Sequence, residues 1–282
     1  MKDWLQMATA RLHDYGMVES ARLDAELLAC KVSGLGRTGL FAHPETSLSL
    51  SQTEQLNRLL ERRCQGEPVA YLTGKRAFWS FELDVSPGAL IPRPETELLV
   101  ETALSLVRHS PAGPIVDLGT GTGAIAIALA LEIPDRSIIA VERSAAAAQI
   151  AAQNCRQHTP DGVTLLRADW LSGFAGNSLA MAVTNPPYLA EHDPHLQSLS
   201  CEPVEALVSG PEGMDDLQRI ARDFVRTGKP GAPLLLEHGF DQGARVRSTL
   251  HSCGYREIDT VVDLEQRERV SYGFLPETRP LS

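Results

Sequence analysis

A glycine-rich turn after an apolar strand constrains the fold of this chain more than any other feature. Residues 114–118 (PIVDL) are largely apolar on both faces, and a helical run of small apolar residues begins at Ala124. The turn between them consists of Gly119, Thr120, Gly121, Thr122 and Gly123. Glycine lets the backbone turn sharply and brings a ligand close to the first amides of the next helix. We therefore expect a nucleotide-like cofactor at this turn.

Short apolar segments alternate with helical segments from this point to the C-terminus. The strand-like segments are residues 114–118, 137–141, 163–166, 179–184 and 233–237. Strands that are apolar on both faces and separated by helices are typical of a parallel sheet covered by helices on both sides. Two last strands, 255–262 and 269–274, are joined by a short polar link and predict an antiparallel hairpin. The predicted fold is α/β, with a Rossmann-like, seven-stranded sheet that ends in this hairpin.

The N-terminal quarter has a different pattern. Its apolar side chains recur at helical spacing, as in Trp4, Leu5, Ala8 and Leu12 and again in Leu56, Leu59 and Leu60. Ser51 and Glu54 have the spacing of a capping box before the last of these helices. The pattern predicts a small helical domain.

The segment between the two patterns favours strand and then loop. Residues 77–85 (AFWSFELDV) are rich in aromatic side chains and predict a strand within a β-hairpin. Residues 86–95 contain three prolines, which forbid a continuous helix. We expect a helical substrate-binding domain over 1–75, a β-hairpin and proline-rich linker over 76–92, and the α/β domain over 93–282.

Composition limits the classes of partner. The 282 residues include 26 Lys plus Arg and 36 Asp plus Glu, a net charge of −10, which argues against direct binding of nucleic acid. The five cysteines are far apart, odd in number and without CxxC spacing, so we expect no disulfide framework and no metal site. No apolar run approaches the ~18 residues of a membrane span. These features predict a cytoplasmic protein that binds neither metal nor membrane.

An acidic residue follows the glycine turn at a sequence separation that is typical of ribose-binding carboxylates. Glu142 ends the second strand, 23 residues after Gly119, where a carboxylate can accept hydrogen bonds from both ribose hydroxyls. Two cofactor classes share this arrangement. Gly119, Gly121 and Ala124 match the GxGxxA pattern of dinucleotide sites, and DLGTGTG from Asp117 onward matches S-adenosylmethionine sites.

Asp169 and Trp170 follow the third strand, at the edge of the sheet where ligands of open α/β folds bind. Asp169 or a backbone amide there can meet an adenine amino group, and Trp170 can pack on the adenine ring. An equally reasonable interpretation makes Trp170 a core residue that closes the sheet.

The loop after the fourth strand predicts the chemistry. It consists of Asn185, Pro186, Pro187 and Tyr188. The prolines make it stiff and remove N–H donors, so it offers acceptors, the Asn185 side-chain oxygen and the Pro186 carbonyl, beside an aromatic ring. Such a loop suits a planar group with an NH₂, which adenine N6, cytosine N4 and a glutamine amide all provide. Methyl transfer to such a nitrogen depends mainly on orientation.

Further motifs carry a resemblance to a known family. They are GEPVAYLTG (66–74), LIPRPETE (90–97), DLGTGTGAIA (117–126), ADW (168–170), NPPY (185–188) and LLEHG (235–239). With these motifs over nearly its whole length, the chain resembles the release factor glutamine methyltransferases, also called the HemK or PrmC family. Two departures are Glu142, where relatives often have Asp, and Cys201, where Phe is common.

The resemblance implies a class I S-adenosylmethionine-dependent methyltransferase fold and a specific reaction. A methyl group would pass from S-adenosylmethionine to the side-chain amide N5 of the glutamine in the Gly-Gly-Gln motif of class 1 peptide chain release factors. It also implies cofactor contacts from Gly119 to Gly123 and from Glu142, Trp170 and Asn185. Asn185 to Tyr188 would hold the glutamine, with Asn185, Pro186 and Tyr188 in the catalytic roles.

Three other functions remain as alternatives. A DNA adenine-N6 or cytosine-N4 methyltransferase shares the acceptor loop but needs a basic face, which a net charge of −10 argues against. A nicotinamide-linked oxidoreductase would use the glycine turn and leave residues 185–188 unexplained. A silent binding module is inconsistent with an intact turn and acceptor loop. For Arg93 we weigh a place beside the site against a buried ion pair linking the domains, and Glu237 and His238 are assigned structural roles.

Overall fold

The computed structural model describes residues 1–43, 45–159 and 161–277. The chain divides into two compact units, Met1–Lys75 and the part that begins at Arg76. No helix within the described ranges is long and apolar enough to cross a membrane.

The first unit is helical. Its helices in the described ranges are α1 (Lys2–Asp14), α2 (Ala21–Ser33), α3 (Arg37–Ala42), α4 (Leu50–Cys64) and α5 (Val69–Thr73). Their apolar faces form one buried cluster that includes Leu12, Leu28 and Leu60. Burial of these faces, which isolated helices of this length would leave exposed, stabilises the unit.

The start of α4 differs from the prediction. Gln52 N donates to the Ser49 hydroxyl at 3.1 Å and Ser49 N donates to Gln52 Oε1 at 3.0 Å, which makes the capping box. The predicted pair, Ser51 with Glu54, is wrong by two residues. Both pairs have the Ser-x-x-Glu/Gln spacing, and the helix begins at the earlier one.

Two short paired strands begin at the boundary between the units, and a seven-stranded sheet follows in the second unit. The short strands are β1 (Lys75–Phe78) and β2 (Phe81–Asp84). The large sheet contains β3 (Ile115–Leu118), β4 (Ile138–Glu142), β5 (Val163–Arg167), β6 (Met181–Thr184), β7 (Pro233–Glu237), β8 (Arg256–Val262) and β9 (Glu268–Phe274). Its helices are α6 (Thr96–Leu106), α7 (Ala124–Glu132), α8 (Ala145–His158), α9 (Asp215–Thr227) and α10 (Gly243–Ser252).

The strand order is β5-β4-β3-β6-β7-β9-β8. The first five strands in this order are parallel, and β9 is antiparallel to both β7 and β8. The predicted seven-stranded sheet with an antiparallel terminal hairpin is confirmed. Other predicted ends of these strands agree within one residue, and the largest difference is at the strand predicted over 179–184. That strand begins at Met181, and Leu179 forms an isolated bridge with Gly228.

Helices cover both faces of the sheet. Val116 and Leu118 of β3 pack in one buried cluster with Phe224 of α9 and Leu250 of α10. Asp117 lies between them in the strand and points to the opposite face, where it accepts a hydrogen bond from Ala126 N of α7. The two-sided cover explains why the strands are apolar on both faces.

The connections around β3 create a crevice. The chain runs from β3 to β4 and β5 on one side and then returns to place β6 on the other side of β3. The loops after β3 and β6 therefore leave the sheet in opposite directions, and ligands of open α/β sheets bind at such a switch point. The loops are residues 119–123 and 185–188, the two segments to which the sequence assigned chemistry.

Candidate active site

A cleft with about 760 Å³ of empty volume opens at the carboxyl ends of these parallel strands. It brings together seven of the predicted site residues, from the ends of four strands and the loops that follow them. The predicted site residues that line it are Gly119, Gly121, Glu142, Asp169, Trp170, Asn185 and Pro187. The cleft is thus the meeting point of the loops after β3, β4, β5 and β6.

The glycine turn has the conformation that its composition requires. Gly119, Gly121 and Gly123 have φ angles of 69°, 57° and 88°, which side chains with a Cβ rarely adopt. A Cβ at Gly121 would meet only Gly119 O, at 3.9 Å. The absent side chain leaves open space beside the turn, so the turn fits a ligand that approaches the backbone closely.

Thr120 and Thr122 make hydrogen bonds that hold the glycine turn. Both side chains are buried, and the Thr120 hydroxyl donates to Asp117 Oδ2 at 2.5 Å. The Thr122 carbonyl accepts from the Asn154 side chain at 2.9 Å. Neither threonine is among the residues that line the cleft.

Asp117 was not among the residues predicted from the sequence to form the site. One carboxyl oxygen, Oδ2, binds the turn and helix α7, through Thr120 and Ala126 N. The other, Oδ1, is buried without a hydrogen-bond partner among the described residues. Burial raises the pKa of Asp117 to about 7, although its bonds to Thr120 and Ala126 oppose the rise. Its place as the first residue of DLGTGTG was the available signal.

Glu142 lies at the end of β4 with both oxygens engaged. Oε2 accepts from Gly121 N at 3.0 Å and Oε1 accepts from Ser144 N at 2.8 Å. Each carboxylate oxygen has a second lone pair, so the group can still accept from two hydroxyls in the cleft. The predicted ribose acceptor is therefore placed beside the glycine turn and held in a fixed orientation.

Asp169 and Trp170 are tied to helix α9. The Arg219 guanidinium binds the Asp169 carboxylate through two hydrogen bonds of 3.2 and 2.7 Å, and Trp170 Nε1 donates to Asp216 Oδ1 at 2.9 Å. Trp170 both lines the cleft and packs on the buried cluster of the sheet. Trp170 therefore packs on the core, as one interpretation predicted, and it also lines the cleft, where packing on an adenine ring stays a prediction.

The acceptor loop is held by contacts on both sides. Asn185 Nδ2 donates to the Thr96 hydroxyl at 3.1 Å, and Gln242 Nε2 donates to the Tyr188 carbonyl at 2.9 Å. Pro186 and Pro187 are buried, and in the described parts of the chain no donor binds the Pro186 carbonyl. The Asn185 side-chain oxygen likewise accepts no hydrogen bond among the described residues, and Asn185 lines the cleft, whereas the buried Pro186 is not among the lining residues.

Tyr188 follows the two prolines of the loop and is partly buried. The ring packs against the buried cluster of the sheet and is not among the residues that line the cleft. Burial raises the pKa of its hydroxyl to about 12, so the phenol is neutral at physiological pH.

The sequence missed part of the cleft wall. The missed residues are Gly88, Ala89, Leu90, Val141, Arg143, Ser144, Ala147, Ala168, Pro203, Glu205, Ala206 and Asp216. A bridge between Leu189 and Val208 places the segment 203–206 beside the acceptor loop. Such a wall depends on pairing between distant segments, and composition gives no signal for it.

Arg93 forms a partly buried ion pair, which was one of its two predicted roles. Arg93 binds the buried Glu202 carboxylate, whose other oxygen accepts from Ile91 N at 3.0 Å. Both partners belong to the second unit, so the pair does not link the two domains. The wall segment that continues at Pro203 is anchored by this contact.

The chain matches two protein families and many curated relatives. It matches the PrmC N-terminal domain over residues 3–74 and the methyltransferase small domain over residues 94–211. It is 47% identical over 272 residues to the release factor glutamine methyltransferase of Escherichia coli (strain K12), covering 96% of this chain and 97% of that protein. The enzyme of the same description from Xylella fastidiosa (strain Temecula1) is 44% identical over 257 residues, covering 90% and 94%.

Solved structures agree on the fold. A methyltransferase from Pyrococcus furiosus superposes with a TM-score of 0.53 at 14% sequence identity, covering 78% of this chain and 98% of that one. The fold is that of class I methyltransferases. The cofactor is S-adenosylmethionine rather than a dinucleotide, which decides between the two classes left open by the glycine turn. The resemblance carried by the motifs is confirmed: the chain belongs to the release factor glutamine methyltransferase family.

Proposed function

We propose that this protein methylates the side-chain amide N5 of the glutamine in the Gly-Gly-Gln motif of class 1 peptide chain release factors. The observation that carries the proposal is the orientation of Asn185 at the edge of the cleft. Its Nδ2 is occupied by the Thr96 hydroxyl, so its oxygen is the free end of the amide. A glutamine amide presents two N–H groups, which match this oxygen and the Pro186 carbonyl.

Orientation is the main contribution of the loop to the reaction. S-adenosylmethionine, when bound, supplies an electrophilic methyl group on a sulfonium. An amide nitrogen is a weak nucleophile because its lone pair is conjugated, so the enzyme must hold it in line with that methyl group. Two acceptors on a stiff loop fix both N–H bonds, and positioning of this kind can supply about 7–11 kcal/mol of the barrier.

The same two oxygens would also stabilise the positive charge that develops during the reaction. Transfer would break the bond between the methyl group and sulfur and place positive charge on the amide nitrogen until that nitrogen loses a proton, and the oxygens of Asn185 and Pro186 would stabilise this charge. Preorganised dipoles of this sort are usually the largest electrostatic contribution to catalysis. The buried prolines bring no N–H groups that would oppose the developing charge.

We assign the helical domain, residues 1–75, to binding the release factor, residues 76–92 to a linker, and residues 93–282 to methyl transfer. The separate family match of residues 3–74 supports a distinct role for the first part. The reaction would take place in the cytoplasm with a protein substrate, without direct contact to nucleic acid or membrane. The net charge of −10 supports a substrate other than DNA.

The test supplies S-adenosylmethionine with a labelled methyl group together with either a class 1 release factor or duplex DNA. We expect label in the release factor, located by mass spectrometry on the glutamine of Gly-Gly-Gln. A release factor with asparagine in place of that glutamine is the matched control and should stay unlabelled. Label in DNA alone, or label on another residue of the release factor, would contradict the proposal.

A further inference from the structure

We infer that Gln242 is a positioning residue for the acceptor loop, residues 185–188, and that it acts together with Gly213 on the carbonyl at the end of that loop. The inference deepens the proposed function and rests on it. Gln242 lies outside every motif to which the sequence assigned chemistry.

The Gln242 side chain joins three separate segments of the chain. It is buried where α10 begins, and all three of its hydrogen bonds are to backbone atoms. Nε2 donates to the Tyr188 carbonyl at 2.9 Å and to the Gly213 carbonyl at 3.1 Å. Oε1 accepts from Gly239 N at 2.8 Å. One amide thus connects the acceptor loop, the segment before α9 and the turn after β7.

These partners determine which way the Gln242 amide faces. A carbonyl oxygen can only accept a hydrogen bond, and a backbone N–H can only donate one. In the flipped amide, Oε1 would face the Tyr188 and Gly213 carbonyls and Nε2 would face the Gly239 N–H, so all three bonds would be lost. The observed orientation uses both Nε2 hydrogens, as expected for a buried amide. The Tyr188 carbonyl is therefore held by a donor of fixed direction.

Gly213 packs against the same carbonyl. Its φ is 70°, and a Cβ at this position would stand 2.2 Å from Tyr188 O and 2.9 Å from Tyr188 C. A side chain fits there only if the end of the acceptor loop moves, because packed interiors leave no spare volume. The donor group of Gln242 and the bare backbone of Gly213 together fix where the Tyr188 carbonyl lies.

The position of this carbonyl bears on Asn185 because the loop between them is short and stiff. Both intervening residues are prolines with a fixed φ, and each residue before a proline is restricted to extended conformations. The loop starts directly after Thr184, which is paired with a strand on each side. Few dihedral angles can absorb a shift at Tyr188, so the shift displaces the oxygens of Asn185 and Pro186 proposed to hold the glutamine.

The effect of Gln242 on the reaction is indirect. Neither Gln242 nor Gly213 is among the residues that line the cleft. A change at Gln242 should therefore alter the alignment of the substrate amide more than the affinity for S-adenosylmethionine. A displacement of about 1 Å at the reacting groups can cost about 100-fold in rate, so kcat is the sensitive readout.

Gln242→Met removes all three hydrogen bonds and nearly keeps the volume of the side chain. We expect kcat for methylation of the release factor to fall about 30- to 100-fold, with its KM and the Kd for S-adenosylmethionine changed less than about threefold. The matched control is Tyr255→Phe, which removes a buried side-chain hydrogen bond of 2.8 Å to the Ala221 carbonyl of α9. This control should lose stability and keep the wild-type kcat.

Gln242→Glu tests the donated hydrogen bond itself. A neutral carboxyl group can still donate to one of the two carbonyls, whereas a carboxylate cannot donate and is repelled by both oxygens. Burial beside these oxygens favours the neutral form of the introduced carboxyl group. The kcat of Gln242→Glu as a fraction of the wild-type kcat should exceed that of Gln242→Met at about pH 6 and fall as pH rises to about 9. A fraction that does not change with pH would overturn the role of the donor.

Gly213→Ala supplies an independent route, since it displaces the same carbonyl from the other side. We expect a fall in kcat of similar size, and in the double variant with Gln242→Met a fall much smaller than the product of the two single losses, because both changes act on one carbonyl. Melting temperatures and S-adenosylmethionine binding identify variants that fail to fold, and either route suffices if the other fails. A folded Gln242→Met with a lower melting temperature and the wild-type kcat would overturn the inference, because that result shows a structural role alone.

The same assay separates this inference from the proposed function. If the wild-type protein does not methylate the release factor, the proposed function is wrong. If the wild-type protein is active and Asn185→Ala is inactive, but Gln242→Met and Gly213→Ala both turn over normally, only the positioning role of Gln242 is wrong.

Discussion

The indole of Trp170 lies directly against the backbone of Gly119. A Cβ atom at Gly119 would stand 2.9 Å from Trp170 Cζ3 and 3.2 Å from Cη2. The same indole is held in place by the hydrogen bond from Nε1 to Asp216. Two constraints therefore favour glycine at position 119: its φ of 69°, and the Trp170 ring, which occupies the space that a side chain would need.

Gly119→Ala should therefore weaken S-adenosylmethionine binding by about tenfold or more, because either the ring or the turn must move. Isothermal titration calorimetry measures the affinity, and thermal unfolding reports the accompanying loss of stability. Gly173→Ala is the matched control, since a Cβ there meets no atom within 4 Å. Equal affinity of Gly119→Ala and the wild-type protein would show that the Trp170 contact does not shape the site.

Glu142 accepts a hydrogen bond from Gly121 N of the glycine turn and is the predicted acceptor for a ribose. Glu142→Ala removes both functions and should raise the Kd for S-adenosylmethionine by about 10- to 100-fold, the loss of one or two hydrogen bonds to a charged group. Glu142→Asp keeps the charge with one methylene less and should bind with intermediate affinity. Glu101→Ala, at an exposed position of α6, is the control. Wild-type affinity in Glu142→Ala would remove this residue from the cofactor site.

Asp117 makes stability depend on pH. Its folded-state pKa is raised to about 7, above the value of an exposed carboxyl, so its contribution to stability is complete below the unfolded pKa and is lost as pH rises through about 7. Between pH 5 and pH 8 this group alone should lower the free energy of unfolding by roughly 3 kcal/mol.

Urea unfolding of the wild-type protein and of Asp117→Asn at both pH values isolates the effect. Asparagine keeps an acceptor for Thr120 and Ala126 N, whose bonds end on one oxygen. The wild-type protein should lose more stability than the variant as pH rises, while contributions from other carboxyl groups cancel in the comparison. An equal loss in both proteins would mean that Asp117 does not titrate in this range.

Much of the fold followed from the sequence because its signals are local. The strands of the parallel sheet are apolar on both faces, and the glycine turn and the double proline occupy fixed places after two of them, so the topology brought residues 119–123 and 185–188 together. Helix starts were less certain, since overlapping Ser-x-x-Gln/Glu spacings exist at Ser49 and Ser51 and the first is used. Local patterns determine the element but leave its ends open.

The remaining parts of the site depend on contacts between distant segments. Asp216 reaches Trp170 from a helix 46 residues later, and Glu202 anchors Ile91 across 111 residues. No periodicity links such pairs. The same is true of Thr96 and Asn185, which are 89 residues apart and become partners only when α6 lies at the end of the sheet.

The acceptor role of Asn185 is tested most directly by Asn185→Ala, assayed side by side for methyl transfer to a release factor and for S-adenosylmethionine binding. Loss of the carboxamide removes the oxygen that we propose holds the substrate amide, and it leaves the glycine turn and Glu142 intact. We predict that no methylated Gly-Gly-Gln peptide is detected by mass spectrometry, while the Kd for S-adenosylmethionine rises by less than about tenfold. Methylation at the wild-type rate by Asn185→Ala would contradict the account.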